Sequence, residues 1–452
     1  MVAGMSLIEM LPRIIEESRA EYEEAVAGSF PETAYVGGDS TENVLAAGDN
    51  MAFMKALKSK FEESGNRGIQ MIYIDPPFFS KSNYGSEIKL SSEKLGKLPT
   101  IKQFAYHDSW EEGTFEYLKM LCTRFYMMKD LLADDGCLWV HLDWHIVHYV
   151  KILLDEVFGE KNFVNEVIWQ YKSGGSSKKH YSRKHDTLLF YAKGKNYYFQ
   201  AQQEKSYNRG YKPYRFKGVK EYRDETGWYT MVNMKDVWQI DMVGRTSGER
   251  TGYATQKPEA LIMRILESCT RPGDLVADFF GGSGTLCAAA EKMGRKWLYC
   301  DLGALATGSA VKRLSKEGST FLISQESSTD FGECEIEAEA VLETAGVTES
   351  GLLTVRITDY KVNEHSDIPV DDKSVPIIKD AMEKDPLAFI DFWSIDYSYD
   401  GSVHRADETF GRDKNGIALE AVKLGGVKPG TFVNIRVYDV FGNTAEKTLE
   451  IK

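Results

Sequence analysis

The sequence has 452 residues, of which 42% are hydrophobic and 27% charged, a balance typical of a globular protein of two or three domains. No apolar run reaches the length of a membrane span, and the first residues lack the pattern of a secretory signal, so we expect a cytoplasmic protein. The six cysteines are scattered without a CxxC pair, which favours reduced, buried thiols over disulfides or a zinc site.

The net charge of −13 is concentrated in one part of the chain. Residues 321–452 carry 26 acidic and 13 basic side chains, which accounts for the whole excess, and residues 1–320 are formally neutral. Within the neutral part, residues 171–223 hold 14 Lys and Arg against 3 Asp and Glu. The acidic average therefore does not exclude a polyanionic partner for this basic segment.

The first elements along the chain alternate between helix and strand. Residues 1–34 are predicted to form an acidic, amphipathic N-terminal helix. The periodicity of apolar residues then predicts strands at 43–50, 71–74 and 137–144 and helices at 51–64, 114–136 and 148–159. The strand at 71–74 shows no alternation of apolar and polar residues, as expected in a parallel sheet that is covered on both faces.

The same pattern continues to residue 301. Strands at 165–172 and 186–194 are spaced like an antiparallel pair, and a basic, Tyr-rich stretch runs from there to about residue 250. A helix is predicted at 257–270, a strand, glycine loop and helix over 274–294, and a strand at 296–301. Repeated βα units with a glycine-rich turn predict an α/β fold, a doubly wound parallel sheet over residues 35–320.

The character of the sequence changes near residue 320. A polar and acidic passage is followed by segments that alternate apolar and polar residues between turn signals. We therefore predict that residues 325–452 form an appended, mostly β domain, built as a small sandwich.

The stretch DFFGGSGT, Asp278 to Thr285, is the first with a chemical signature. Its glycines follow an apolar strand and open a helix, which lets the backbone approach a ligand and leaves helix amides free. Asp301 ends the next strand, at roughly the spacing at which an acid holds a ribose diol. Because no third glycine completes a dinucleotide motif, an adenosine-containing ligand without a pyrophosphate is favoured. A glycine-rich turn that binds nothing is the alternative.

The stretch IDPPFF is the second with a chemical signature. Pro76 and Pro77 lack amide donors and hold a stiff, extended turn where a buried strand ends. The Asp75 carboxylate and nearby carbonyls are then presented as acceptors beside the flat ring of Phe78, at the edge where open α/β sheets bind ligands. This set suits a planar heterocycle with an exocyclic amino group. An Asp-capped turn with a core Phe is the alternative.

Together the two motifs resemble those of S-adenosylmethionine-dependent DNA amino-methyltransferases. The order, with DPPF first and the glycine loop near the end, resembles the β class, whose methyltransferase sheet is circularly permuted and whose target-recognition region lies between the motifs, here at about 171–250. GDN (48–50) is similar to the same position in type III modification subunits. The segments FAYHDSW (104–110), HLDWHIVHYVKILLDEVFG (141–159) and TQKPEALIMRIL (255–266) also resemble family segments.

The resemblance implies roles for the matching residues. S-adenosylmethionine would be bound by Asp278, Phe280, Gly282, Gly284 and Thr285, by Asp301 at its ribose, by Asp49 at its adenine, and by Gln256, Lys257 and Pro258, which close the pocket. Asp75 and the Pro76 carbonyl would accept hydrogen bonds from the target amino group, in a site completed by Pro77 and Phe78. Catalysis would then be positioning of the amino lone pair without a strong general base, after the base has left the duplex.

The basic stretch fits the contact with double-stranded DNA. Lys178, Lys179, Arg183 and Lys184 lie beside a flexible Gly-Gly pair and are predicted to contact phosphates. A solvated basic face is the alternative.

Two further patterns are interpreted as structural. His141, His145 and His148 with Asp143 could suggest a metal cluster, but along a strand-to-helix junction they would point in different directions, so no metal is predicted. Ser283 lacks the G-x-S-x-G context of a nucleophile elbow.

The function predicted from the sequence is site-specific methylation of DNA at adenine N6, in a restriction-modification or related system. Asp75 favours adenine, since cytosine N4 enzymes of this class usually resemble Ser-Pro-Pro at that point. A cytosine N4 enzyme and a non-catalytic DNA-recognition subunit are the alternatives, and methylation of RNA or protein is a weaker one. The partners considered are a second copy of the chain and a restriction or other modification subunit, for which the acidic residues 325–452 are a candidate module.

Overall fold

The computed structural model of the protein describes residues 6–39, 41–78, 83–88, 90–92, 94–97, 101–107, 113–172, 176–327, 334–344, 351–362, 370–371, 373–413 and 416–452. The end of the FAYHDSW segment and the Gly-Gly pair beside the basic cluster lie outside these ranges. No helix within them is long and apolar enough to cross a membrane. The six cysteines are buried and free, as predicted.

The helices and strands follow in chain order. The helices are α1 (Leu7–Glu24), α2 (Asn50–Ser64), α3 (Thr114–Leu131), α4 (Val147–Phe158), α5 (Glu259–Cys269), α6 (Thr285–Lys292), α7 (Ala304–Lys316) and α8 (Val375–Lys384). The first strands are β1 (Glu32–Val36), β2 (Val44–Ala47), β3 (Ile69–Ile74), β4 (Asn83–Ile88), β5 (Ser91–Ser92), β6 (Gly96–Lys97), β7 (Ile101–His107), β8 (Leu132–Leu142), β9 (Phe163–Gln170), β10 (His185–Ala192), β11 (Gln203–Tyr207), β12 (Glu221–Arg223), β13 (Trp228–Asn233) and β14 (Val237–Gln239). The later strands are β15 (Leu275–Asp278), β16 (Lys296–Asp301), β17 (Phe321–Gln325), β18 (Cys334–Thr344), β19 (Gly351–Val362), β20 (Ile390–Asp396), β21 (His404–Ala406), β22 (Glu408–Gly411), β23 (Glu420–Leu424), β24 (Phe432–Asp439) and β25 (Thr444–Glu450).

A central sheet of eleven strands organises the molecule, in the order β14-β9-β10-β8-β3-β15-β16-β2-β17-β1-β21. The six strands from β8 to β17 in this order pair in parallel with one another. Strands β9 and β10 form the predicted antiparallel pair beside them. Helices α1 to α4 pack on one face of the sheet and α5 to α7 on the other. The prediction of an α/β, doubly wound parallel sheet is confirmed.

The N-terminal helix is shorter than predicted. It begins after Ser6, whose side chain accepts from the Glu9 amide while the Glu9 carboxylate accepts from the Ser6 amide, a capping box. The chain then enters β1, which pairs antiparallel with β17. Residues 32–36 are therefore part of the central sheet.

One predicted boundary is wrong. Helix α3 ends at Leu131, well before Gly136, and strand β8 begins at Leu132. Leu132 is already paired with Ile69 of β3, and a Cβ on Gly136 would lie only 2.8 Å from the Ile69 carbonyl oxygen. Gly136 thus serves the close approach of two strands and does not stop a helix. Strand pairing overrides local helix propensity here.

The last part of the chain is mostly β, as predicted. Two antiparallel sheets, β18-β19-β23 and β22-β20-β24-β25, share one apolar core, to which α8 is added. Ile88, Leu90 and Ile101, from the segment that follows the DPPF turn, are buried in the same core. Strand β21 leaves these sheets and pairs with β1 at the edge of the central sheet. The C-terminal region is therefore joined to the central sheet and to the chain that follows DPPF.

His404 lies at this junction and links stability to pH. It is buried between the Ser394 hydroxyl, 2.8 Å from Nε2, and the Asn434 side-chain oxygen, 2.6 Å from Nδ1. Burial lowers the pKa of His404 from 6.5 to about 4. A base with a lowered folded pKa contributes stability that is complete above pH 6.5 and is lost as the pH falls toward 4, by about 3 kcal/mol in all.

We expect the variant His404→Gln to lose less unfolding free energy than the wild type between pH 7 and pH 4.5. Urea unfolding at both pH values measures the difference. The control is His148→Gln, because His148 is exposed and its removal leaves the wild-type loss in place. An equal loss of unfolding free energy in His404→Gln and in the wild type would contradict the link between His404 and acid stability.

Candidate active site

Four acidic residues meet at one edge of the central sheet. Asp278 and Asp301 are the last residues of β15 and β16, Asp75 directly follows β3, and Asp49 lies just beyond β2. Because these four strands are adjacent and parallel, their carboxyl ends lie side by side. The four side chains line one cavity of about 360 Å³. Two motifs that are 200 residues apart in the sequence are thus parts of one site.

The glycine loop is held against the end of β16. Gly282 and Gly284 have positive φ angles of 50° and 72°, a conformation that favours glycine. A Cβ on Gly281 would lie 2.2 Å from the Tyr299 ring. The Tyr299 hydroxyl donates to the Gly282 carbonyl at 2.9 Å. The loop can therefore follow this path only with glycine at positions 281, 282 and 284.

Asp278 is buried beneath this loop, and Asp301 is partly buried there. The two Asp301 oxygens accept from the Gly282 and Gly303 amides, each at 2.8 Å, and Asp278 Oδ1 accepts from the Phe280 amide at 3.0 Å. Burial raises the pKa of both carboxyl groups, that of Asp278 most strongly, although these amides oppose the change. A carboxylate oxygen has two lone pairs, so Asp301 keeps acceptor capacity for a ligand hydroxyl.

Asp49 is bonded on both oxygens. Its Oδ1 caps α2 through the Ala52 amide at 2.9 Å, and its Oδ2 pairs with Arg124 Nη2 at 3.0 Å. Arg124 also donates from Nε to the Asn50 side-chain oxygen at 2.5 Å. Burial lowers the pKa of Arg124, against the opposing effect of Asp49. The sequence analysis did not assign a role to Arg124 or Asn50. The signal available for Arg124 was a single Arg among the apolar residues of α3.

The segment before α5 covers the cavity from the other side. Gln256 accepts from the Thr251 amide at 2.8 Å and donates to the Glu249 carbonyl at 2.6 Å, so its side chain holds this segment in a closed loop. Pro258 is the N-cap of α5. Gln256 and Lys257 line the cavity, together with Tyr253, which the sequence analysis did not identify.

Thr285 at the start of α6 also lines the cavity. Its hydroxyl oxygen accepts from Nη1 of the buried Arg313 at 3.1 Å. Arg313 in turn pairs with Glu259 of α5, 2.7 Å away. The first turn of α6 is therefore held in a buried polar network between three helices.

The DPPF turn combines an acid, a cation and an aromatic ring. Lys257 Nζ forms an ion pair with Asp75 Oδ2 and lies 5.0 Å from the centroid of the Phe78 ring. The Tyr117 hydroxyl donates to the Pro77 carbonyl at 2.5 Å and fixes the turn. Asp75 Oδ1 is buried and has no hydrogen-bond partner in the described part of the chain. This oxygen is an acceptor available to a donor group that lies against the Phe78 ring.

The basic cluster lies at the same edge of the sheet. It belongs to the connection between β9 and β10, and the beginning of β10 lies beside the end of β8, with Thr187 opposite Leu142. Lys178, Lys179 and Arg183 are exposed, and Lys184 is partly buried. The Arg183 guanidinium lies 3.7 Å from the centroid of the exposed Trp144 ring.

The three histidines near β8 point to different surroundings. His141 is buried and contacts Tyr73 and Asp186, His145 pairs with Asp143, and His148 is exposed on α4. Among the residues that the structure describes, no group of three His, Cys, Asp or Glu side chains is arranged to hold a metal ion.

The contact between Gly281 and Tyr299 predicts how the cofactor site responds to substitution. We expect Gly281→Ala to displace the loop, at a cost of about 1–3 kcal/mol, and to weaken S-adenosylmethionine binding roughly tenfold. Isothermal titration calorimetry measures the affinity for S-adenosylmethionine. Gly244→Ala is the matched control, because a Cβ on Gly244 meets no atom within 4 Å. Equal affinities of the two variants would contradict the role of the loop.

Comparisons with known proteins identify the family of the chain. The family model N6_N4_Mtase, described as DNA methylase, matches residues 69–344, more than half of the chain. The type II methyltransferase M.EcaI of Enterobacter cloacae is 26% identical over 306 residues, which cover 54% of this chain and 64% of the relative. The EcoP15I Mod subunit, part of a type III restriction-modification enzyme of Escherichia coli, is 24% identical over 34% of this chain and 25% of its own length.

One solved structure extends the comparison. The crystal structure of the M1.HpyAVI–SAM complex overlaps 60% of this chain and 98% of its own, with 17% identity and a TM-score of 0.37. The chain spans less than two thirds of the length of M.EcaI and a quarter of the EcoP15I Mod subunit. By its matching model and the site geometry, the chain belongs to the N6/N4 DNA methylase family.

Proposed function

We propose that this protein transfers a methyl group from S-adenosylmethionine to the N6 amino group of an adenine that has been flipped out of double-stranded DNA. The observation that carries the proposal is the buried, unpaired Asp75 Oδ1 beside the Phe78 ring, at a cavity lined by three further carboxylates. A flipped adenine offers the complementary groups, an amino donor and a flat ring.

The cavity fits the proposed cofactor. The carboxylates of Asp278 and Asp301 and the backbone of the glycine loop would hold the amino-acid and ribose portions of S-adenosylmethionine, with Asp49 toward the adenine. The full set proposed to bind the cofactor is Asp49, Gln256, Lys257, Pro258, Asp278, Phe280, Gly282, Gly284, Thr285 and Asp301. When bound, the sulfonium supplies an electrophilic methyl group. Buried acids suit this cation, because its positive charge offsets the cost of ionised carboxylates in the cavity.

The protein's own contribution is to orient the amino group. Asp75 Oδ1 and the Pro76 carbonyl accept its two N–H groups, which draws the nitrogen lone pair out of conjugation with the ring. Phe78 stacks on the base, and the stiff turn at Pro76 and Pro77 keeps the acceptors in place. Lys257 compensates the buried charge of Asp75 through Oδ2 and leaves Oδ1 free. Most of the rate enhancement then comes from positioning.

Two alternatives belong to the same proposal. Adenine is preferred over cytosine because the motif begins with Asp75, and cytosine N4 methylation is the nearest rival. A DNA-recognition subunit without turnover is the second rival, and the complete set of Asp75, Phe78 and glycine loop speaks against it. The similarity to a Mod subunit supports action within a restriction-modification system. We propose residues 325–452 as the part that contacts another subunit or a second copy.

Substitution of Asp75 tests the reaction. We expect Asp75→Asn to lower the rate of methyl transfer by about 10²–10³-fold, because a neutral amide is a weaker acceptor for the amino group. Binding of S-adenosylmethionine should remain. Transfer of labelled methyl groups to mixed DNA measures the rate, and Asp134→Asn, at an exposed acid, is the control with the wild-type rate.

Nucleoside analysis of the methylated DNA decides the base. N6-methyladenine is the expected product. N4-methylcytosine would overturn the choice of adenine, and DNA binding without methyl transfer by the wild type would favour the recognition subunit.

The basic cluster predicts the salt dependence of DNA binding. We expect the double variant Lys178→Glu and Lys179→Glu to weaken binding and to reduce the slope of log affinity against log salt by about two, since each phosphate contact contributes about one. Binding at several salt concentrations measures the slope. Lys195→Glu is the control, because Lys195 is exposed just beyond the opposite end of β10. An unchanged slope in the double variant would refute the assignment.

A further inference from the structure

A buried polar cluster lies directly beside the DPPF turn. His141 of β8 is completely buried, and its Nδ1 lies 2.8 Å from the Tyr73 hydroxyl of β3. Its Nε2 lies 3.2 Å from Asp186 Oδ2 of β10. The Tyr171 hydroxyl donates to the other oxygen of Asp186 at 3.2 Å. Three adjacent strands therefore place a tyrosine, a histidine and an aspartate in one row.

The chemistry of the two outer groups decides where the protons lie. Burial, with the charges of Asp75, Asp278 and Asp186, raises the pKa of Tyr73 well above 10, so its hydroxyl stays protonated and donates to Nδ1. Burial alone would raise the pKa of Asp186, but its hydrogen bonds with His141 and Tyr171 and the charge of Lys257 lower it below the ordinary value. Asp186 is then a carboxylate that accepts from Nε2–H. In this arrangement Nε2 carries the proton and Nδ1 accepts from Tyr73.

Asp75 is the other neighbour of this imidazole. Its unpaired Oδ1 lies 4.0 Å from His141 Nδ1, and the imidazole ring lies 5.8 Å from the Phe78 ring, centroid to centroid. A proton on Nδ1 would make His141 a close donor to Oδ1. The hydrogen bond from Tyr73 prevents this, because it occupies the Nδ1 lone pair.

We propose that Tyr73, His141 and Asp186 form a positioning network, which keeps Asp75 Oδ1 free to accept the target amino group. The proposal rests on the proposed methyltransferase function and adds residues to it. None of the three was assigned to the site from the sequence, where His141 was considered only as a metal ligand. The network acts through Asp75, and its member Tyr73 also lines the cavity proposed for the cofactor.

Two variants test the network through Nδ1. Tyr73→Phe removes the donor that occupies Nδ1, so we expect kcat to fall about tenfold or more, with little change in KM for S-adenosylmethionine because Phe keeps the ring that lines the cavity. His141→Asn keeps an acceptor for Tyr73. We expect it to retain kcat within about tenfold.

Tyr171→Phe is the matched control, since it removes a hydroxyl from Asp186 without changing the contacts of Nδ1. It should keep the wild-type kcat. Thermal unfolding and calorimetric binding of S-adenosylmethionine verify that each variant is folded. A wild-type kcat in Tyr73→Phe, or a loss well beyond tenfold in folded His141→Asn, would overturn the network. Absence of methyl transfer by the wild-type protein would instead refute the proposed function, so the two failures are distinguishable.

Discussion

The parallel pairing of β3, β15, β16 and β2 is the constraint on which the rest of the structure depends. Each of these strands is mostly apolar and is followed or ended by an acid. Parallel pairing brings all four acids to one edge, so a largely apolar sheet presents a polar site. The order of the strands places Asp75, the proposed acceptor for the base, next to the glycine loop.

Collecting carboxylates in a partly buried cavity is costly, and the structure compensates each of them differently. Asp301 and Asp278 accept backbone amides, Asp49 has Arg124, and Asp75 has Lys257. These partners leave some carboxylate lone pairs without a hydrogen bond, most clearly at Asp75 Oδ1. Polar atoms that remain unpaired in a buried site mark where a ligand completes the hydrogen bonding. The cavity therefore suits a ligand with both positive charge and donor groups.

The C-terminal sheets are connected to this site at two places. One is the edge pairing of β21 with β1, and the other is the burial of Ile88, Leu90 and Ile101 in their core. Lys312 of α7 adds an ion pair with Asp391 at 2.7 Å. The chain that leaves the DPPF turn is thus supported by the acidic region. An interaction partner of that region would act close to the strand that carries Asp75.

Much of the site could be predicted from the sequence because it depends on local rules. A strand that ends in Asp, two prolines or a glycine loop specifies backbone geometry within a few residues, so Asp75, Asp278 and Asp301 were identified by their own neighbours. The strands and helices of the βα units were predicted for the same reason. The end of α3 was not, because Gly136 is placed by its contact with Ile69 in another strand.

The sequence by itself determined which type of sheet forms and which residues are the candidates for the chemistry. Only the tertiary structure decided how those residues are paired. Lys257 meets Asp75, Arg124 meets Asp49, and His141 lies between Tyr73 and Asp186, all through contacts between distant segments. Charge compensation and proton position depend on distances across strands, and no local pattern encodes them. That physical difference separates the predicted part of this site from the part that the fold revealed.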